Sequence, residues 1–266
     1  MISDAIIESL KQWFFRYADS FTSTDPNLQF NLTLKKEHTL RVVNEAIAIG
    51  TELKLSAADL AIARIAALMH DAGRFEQYAH YKTFVDKDSV DHALLAIDLL
   101  RKEDILKDLD VQDQDLIFCA IEHHNQAAVP DTLSERERFF CKLLRDADKL
   151  DIIWIHVERY RSAALGAKSV VELLLPQGDG ISIDALADLM AGSIVKFPHL
   201  HTVNDFKLLQ MAWVFDMNFL PTLTLFKERG YLEALRHALP DTEDVRRAYE
   251  FVKGEMERRV RGDKTG

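Results

Sequence analysis

Apolar residues recur at spacings of three and four along almost the whole of this 266-residue chain, and that period fixes the fold class. Between Lys36 and Leu53, Leu40, Val43, Ala46, Ile47 and Gly50 line one helical face. Ser56, with Asp59 three residues on, opens a helix that runs through Ile65 to His70, and Gly73 is the expected stop. Ser89 is placed to cap a helix bearing His92, Leu95, Ile97 and Leu99, and Gln112 to His124 forms another. Ser134-Glu135-Arg136-Glu137 is a full capping box before Phe140, Leu144 and Asp148. Further helices are expected at Ile183–Ala191, Val203–Phe219, Pro221–Glu228, Tyr231–Ala238 and Thr242–Arg258, with Met1 to Tyr17 as an amphipathic N-terminal one. The six prolines fall at or near the seams, and hairpin signals are nearly absent apart from a loop at Gly178-Asp179-Gly180. The pattern predicts one all-α domain over residues 1–266, with no linker long enough to separate two.

Composition narrows the function classes. A net charge of −10 speaks against a long basic surface, so no polymeric nucleic acid is expected as a partner. No run approaches the roughly 20 apolar residues of a membrane span. A cytoplasmic location and no membrane partner follow by default. The two cysteines, Cys119 and Cys141, supply neither a disulfide framework nor a thiolate metal site. Any metal must therefore be held by imidazole and carboxylate.

The informative residues are His38, the pair His70-Asp71, His92, the pair His123-His124, and Asp146. They are far apart in the chain and converge only through packing, as ligands do in helical metal sites. Neighbours on a continuous helix point about 100° apart, so His70 and Asp71 reach one centre only if the helix ends there. Ala72-Gly73 provides that ending, and Ala63, Ala66 and Ala67 let other helices approach. A lone histidine on a helix is more often a surface or satisfied core residue, which is the reading for His80, His156, His199, His201 and His237. A lone His-Asp pair is equally weak. The ordered conjunction is what carries the signal.

That conjunction resembles the HD-domain superfamily of metal-dependent phosphohydrolases, whose motif runs H…HD…D. His70-Asp71-Ala72-Gly73-Arg74 is similar to its HDxGR/K segment, and Arg145-Asp146-Ala147-Asp148-Lys149-Leu150-Asp151 to its closing D-x-D-K-L-D stretch. Asp91-His92-Ala93 and Glu122-His123-His124-Asn125 look like the extra histidines of the two-metal branch. The resemblance covers about residues 35–151 and implies a helical HD core, with residues 152–266 as a helical extension of the same domain. It implies a first metal held by His38, His70, Asp71 and Asp146, with Asp71 bridging to a second held by His92 and His123. His124 is then a further ligand or a residue behind one; of the adjacent pair, His123 is preferred. Asp148 is expected to orient a ligand imidazole instead of ligating. No Gly-Tyr-Pro triplet occurs, and Leu34 stands where the cyclic-di-GMP phosphodiesterase subgroup can place a glutamate. Neither a third metal nor that substrate is expected.

The implied cofactor is a divalent metal, two ions drawn from Fe, Mn, Co, Ni, Zn or Mg. The implied activity is hydrolysis of a small phosphorylated, nucleotide-like substrate, with Asp71 and Arg74 as catalytic residues. Arg74 meets phosphate or else forms a structural salt bridge, and the sequence weights the two evenly. Lys149 reads as a solvated helix end. Glu76 to Phe84 is either a substrate loop or a packed connector, and Trp213, Phe215, Asp216 and Phe219 read as core. An HD-type mixed-valent di-iron oxygenase uses almost the same ligand order, and a binding module without turnover is the third reading. A homodimer is the default assembly.

Overall fold

The computed structural model describes residues 2–161 and 175–262, and among these there is no strand. The fold is all-α. The chain divides into two compact units, residues 1–151 and 152–266, with the boundary inside a single long helix.

The first unit contains α1 (Asp4–Ser20), α2 (Pro26–Glu52), α3 (Ala57–Met69), α4 (Ala72–Tyr81), α5 (His92–Lys102), α6 (Val111–His123) and the first part of α7 (Glu135–Arg161). α3 packs against α1, α2 and α6, and α5 packs against α4 and α6. Its core contains Phe14, Val42, Ile49, Ile62, Ile65, Phe75, Ile117, Ile121, Phe140 and Leu144, all buried. Ala63, Ala66 and Ala67 are buried on α3, the helix that α1, α2 and α6 all contact.

Helix starts follow side-chain chemistry closely. Ser56 accepts from the Asp59 amide at 3.1 Å. The Ser134 box closes in both directions: the Glu137 amide donates to Ser134 Oγ and the Ser134 amide to Glu137 Oε2. α2 begins ten residues before the expected Lys36, because Asp25 caps it and Pro26 occupies its first turn. α5 is capped by Asp91 instead of Ser89, with Asp91 Oδ1 accepting from the Ala93 and Leu94 amides at 2.9 and 3.3 Å. Ser89 closes a short 3-10 turn, Asp86–Asp88, and donates to the Val85 carbonyl.

Gly73 does not stop a helix. It lies in the first turn of α4, which restarts at once after His70-Asp71. A Cβ at this position would stand 2.3 Å from the His92 carbonyl oxygen and 2.8 Å from the Ala96 nitrogen. Glycine is required here because α4 and α5 touch backbone to backbone. Most of Glu76–Phe84 is likewise the rest of α4, with Phe84 stacked on Tyr78 at 4.3 Å, so this stretch is a packed element rather than a loop.

The second unit contains α7 from Ile152 onward, then α8 (Ile183–Met190), α9 (Val203–Ala212), α10 (Leu220–Glu228), α11 (Tyr231–His237) and α12 (Glu243–Val260). α12 packs on α8, α9, α10 and α11, around buried Leu208, Met211, Phe226, Tyr231, Leu235 and Val252. The expected helix Val203–Phe219 is shorter. It gives way at Trp213 to a 3-10 turn, Trp213–Asp216, where an aromatic and β-branched run lowers helix propensity. No described helix is long and apolar enough to cross a membrane.

Candidate metal centre

The joint between α3 and α4 sets the centre. His70 keeps helical angles, whereas Asp71 leaves them at φ −104°, ψ 15°, in the sparsely populated region where functional residues often sit. Its carboxylate makes no capping bond to its own helix. One non-helical residue thus lets adjacent His70 and Asp71 face one point.

Around Asp71 the other side chains fall into two halves. On the Oδ2 side, His38 Nε2 and His70 Nε2 each lie 3.5 Å away. Asp148 Oδ1 stands 3.1 Å from His38 Nε2 and 3.7 Å from His70 Nε2. On the Oδ1 side, His92 Nε2 lies 3.3 Å away and His124 Nε2 3.9 Å away. Within each of three groups, His38–His70–Asp71, His70–His124–Asp148 and Asp71–His92–His124, the candidate ligand atoms lie within 4.8 Å of one another.

Two sequence-based assignments are corrected by this geometry. Asp148 faces the centre, not Asp146, which is fully buried and belongs to none of those groups. Residues two apart on a helix point about 200° apart, so only one of the two aspartates can reach it. His124 replaces His123 for a similar reason: α6 ends at His123, and the next residue swings its ring into the cluster. His123 is only half-buried and joins none of the groups.

Every histidine of the cluster is anchored through Nδ1. His70 Nδ1 donates to the Ala67 carbonyl and His124 Nδ1 to the Ile121 carbonyl, both at 2.7 Å and both three residues back on the same helix. His38 Nδ1 bonds Asp151 Oδ2 at 2.6 Å, and Arg41 Nε donates to the other oxygen of Asp151 at 2.6 Å. His92 Nδ1 bonds Asp86 Oδ2 at 2.8 Å, and Arg74 Nη1 donates to Asp86 Oδ1 at 2.8 Å. Each half therefore has one histidine on a helix carbonyl and one on an arginine-paired carboxylate. With the proton held on Nδ1, each Nε2 presents a lone pair to the centre.

Those lone pairs test whether a cation fits. His38 Nε2, His70 Nε2 and Asp148 Oδ1 are buried without a hydrogen-bond partner. His92 Nε2 and His124 Nε2 approach to 3.0 Å. Two lone pairs facing at that distance repel unless a positive charge lies between them. Imidazole nitrogen with carboxylate oxygen is a donor set for a divalent transition metal. The residues fit the group.

Electrostatics agree. Burial and the Lys35 charge both act to lower the His38 pKa, yet Asp148, Asp151 and Asp71 outweigh them and raise it to about 10. Positive charge is strongly favoured at that nitrogen. Burial pushes His92 and His124 down to about 4, with Arg74 adding to the effect at His92 and His70 at His124. Burial would raise Asp71, but Lys35, His70, His38 and Arg74 hold it well below the usual carboxylate range.

Lys35, Asp86 and Arg41 are residues of this site that sequence reasoning missed. Lys35 Nζ donates to Asp71 Oδ2 at 2.7 Å from a side chain that is 17% exposed, at the edge of an otherwise buried cluster. It also lies over the Phe84 ring, 5.4 Å from the centroid. Its place three residues before His38, nearly one helical turn, was the available clue. Asp86 and Arg41 lacked even that. Arg74 is committed through Nη1 to Gln77 Oε1, the Phe84 carbonyl and Asp86, and its Nε lies 3.4 Å from Asp71 Oδ1. The salt-bridge reading is the one its contacts match. Arg145 is buried and donates to the carbonyls of His124 and Gln126, which fixes the turn carrying His124. His80, His156, His199, His201 and His237 belong to none of the metal-capable groups among the described residues.

Fold and centre together define a helical protein built around a buried histidine–aspartate cluster able to hold a metal ion. More particularly, the HD domain family model matches residues 36–153 of the chain. No curated protein and no solved structure shows a significant match to the chain.

Proposed function

We propose that the protein is a metal-dependent phosphohydrolase, acting on a small phosphorylated molecule through two divalent ions that share Asp71. One observation carries the reading: two sets of inward-facing, anchored ligands meet at the two oxygens of one carboxylate. His38, His70, Asp71 and Asp148 would hold one ion, and Asp71, His92 and His124 the other. A pair of divalent ions supplies Lewis acidity and a water nucleophile that is deprotonated near neutral pH.

The protein's own groups supply the rest. Asp71 fixes the spacing of the two halves. Asp151 and Asp86 keep the His38 and His92 protons on Nδ1, so the inward nitrogens stay basic. Lys35, at the exposed edge of the cluster, is the cation best placed to meet a phosphoryl oxygen once Asp71 is engaged by metal. Arg74 acts from behind, holding Asp86 and lying against Asp71. The acidic balance of the chain is compatible with this substrate class, because phosphate would be received by metals and Lys35 and not by a basic surface.

The test is a panel of phosphomonoesters, nucleotides and cyclic dinucleotides offered with Mn, Fe, Co or Ni. Phosphate or nucleotide release that disappears on chelation and returns with metal is the expected result. No release with any metal, together with dioxygen consumption by anaerobically iron-loaded protein, would replace this reading with the oxygenase.

A further inference from the structure

Cys119 and Cys141 lie outside the metal cluster and no step of the proposed chemistry uses them. They sit on neighbouring helices, α6 and α7, with their sulfurs 3.8 Å apart. Twenty-two residues separate them in sequence, so the fold, not the chain, brings them together. The two differ in access. Cys141 is fully buried, whereas Cys119 is half-buried. The Cys119 carbonyl, 3.5 Å from the Cys141 sulfur, is an alternative acceptor for the one hydrogen of that thiol.

We propose that Cys119 and Cys141 form a reversible dithiol–disulfide site, oxidised by a small disulfide such as oxidised glutathione. Cys119 is the attacking group, since the Cys141 S–H beside it favours its thiolate and lowers its pKa. Cys141 is held up as the thiol by the Cys119 sulfur and by burial, so it serves as the resolving group. In the first step the Cys119 thiolate attacks one sulfur of the oxidant. A mixed disulfide forms and one reduced glutathione thiolate leaves. In the second step Cys141 gives up its proton and attacks the Cys119 sulfur, and the second glutathione leaves as thiolate. Two protein thiols are oxidised, one oxidant disulfide is reduced, and both protons end on glutathione. The sulfurs start in contact at 3.8 Å, against an S–S bond length of about 2.05 Å.

The bond would join α6, whose end delivers His124, to α7, which delivers Asp148 and Arg145. Oxidation would therefore tie together two of the segments on which the metal cluster rests. Neither turnover nor bound metal is needed for the bond to form.

Full-length protein is incubated with oxidised glutathione, and intact mass and free thiols are read alongside Cys119→Ser and Cys141→Ser variants. Wild type is expected to lose two hydrogens and both free thiols, with no glutathione retained, and to unfold at a higher temperature than its reduced form. Cys141→Ser is expected to stall with one glutathione attached, and Cys119→Ser to remain unmodified. Wild type that keeps glutathione on Cys119, or both thiols free after prolonged exposure, would overturn the proposal. Equal labelling of the two variants would overturn the assigned order of attack.

Discussion

Each cluster histidine makes two contacts with opposite purposes: Nδ1 holds the ring, and Nε2 is left for the centre. His124→Ala removes an inward nitrogen, and metal titration should show loss of the ion shared with His92, whereas His123→Ala should bind metal as wild type does. Asp148→Ala should remove one of the other ion's two carboxylates and lower its affinity far more than a substitution of exposed Asp88. Asp86→Ala should weaken metal binding on the His92 side by about 10–100-fold, because it frees the His92 ring without removing a ligand. Calorimetric metal titration checks all three. The sequence singled out His38, His70, Asp71 and His92, and the fold brings these side chains together. The choices between 146 and 148 and between 123 and 124 were not legible there. Those depend on helix phase, and a phase error of one residue turns a side chain by about 100°.

Helix ends decide more of this site than helix faces do. α3 and α4 are separated by His70 and Asp71, of which only Asp71 leaves helical angles; α5 begins at His92, and α6 ends beside His124. Ligands at such ends can be aimed by a local change of backbone direction while the helices stay packed. Gly73 belongs to the same economy of space, since α5 backbone lies where its Cβ would be. Gly73→Ala should therefore destabilise the fold by about 3 kcal/mol, measured by denaturant unfolding, and should displace His92 through its carbonyl. Most elements were readable from caps and period, as at Ser56 and Ser134. Misreadings arose where a residue had two uses. Gly73 looks like a stop but serves close approach, and Ser89 looks like a cap but closes a 3-10 turn.

At the scale of the whole molecule, the boundary at Asp151 places the proposed chemistry in the first unit and leaves the second with its own core. That division was not readable from composition, because α7 runs through it without a break. The second unit contributes a separate acid sensitivity. His156 is buried with both ring nitrogens unpaired and packs edge-on against Phe206 at 5.1 Å. Burial, aided by Arg159, lowers its pKa to about 3. The unfolded chain, with an ordinary imidazole near 6.5, binds the proton more readily. Its contribution to stability is therefore full above pH 6.5 and is lost as pH falls towards 3, at up to about 1.4 kcal/mol per pH unit. His156→Leu should flatten that part of the stability–pH curve, as followed by denaturant unfolding from pH 7 to pH 4. The central claim is that Asp71 joins two metal-holding halves into one hydrolytic centre, and phosphate release by manganese-loaded wild type and Asp71→Ala, side by side on the same substrates, tests it most directly. Wild type is expected to release phosphate and the variant none above background at equal fold content; equal release by both would rule out Asp71 as the shared residue of a hydrolytic centre.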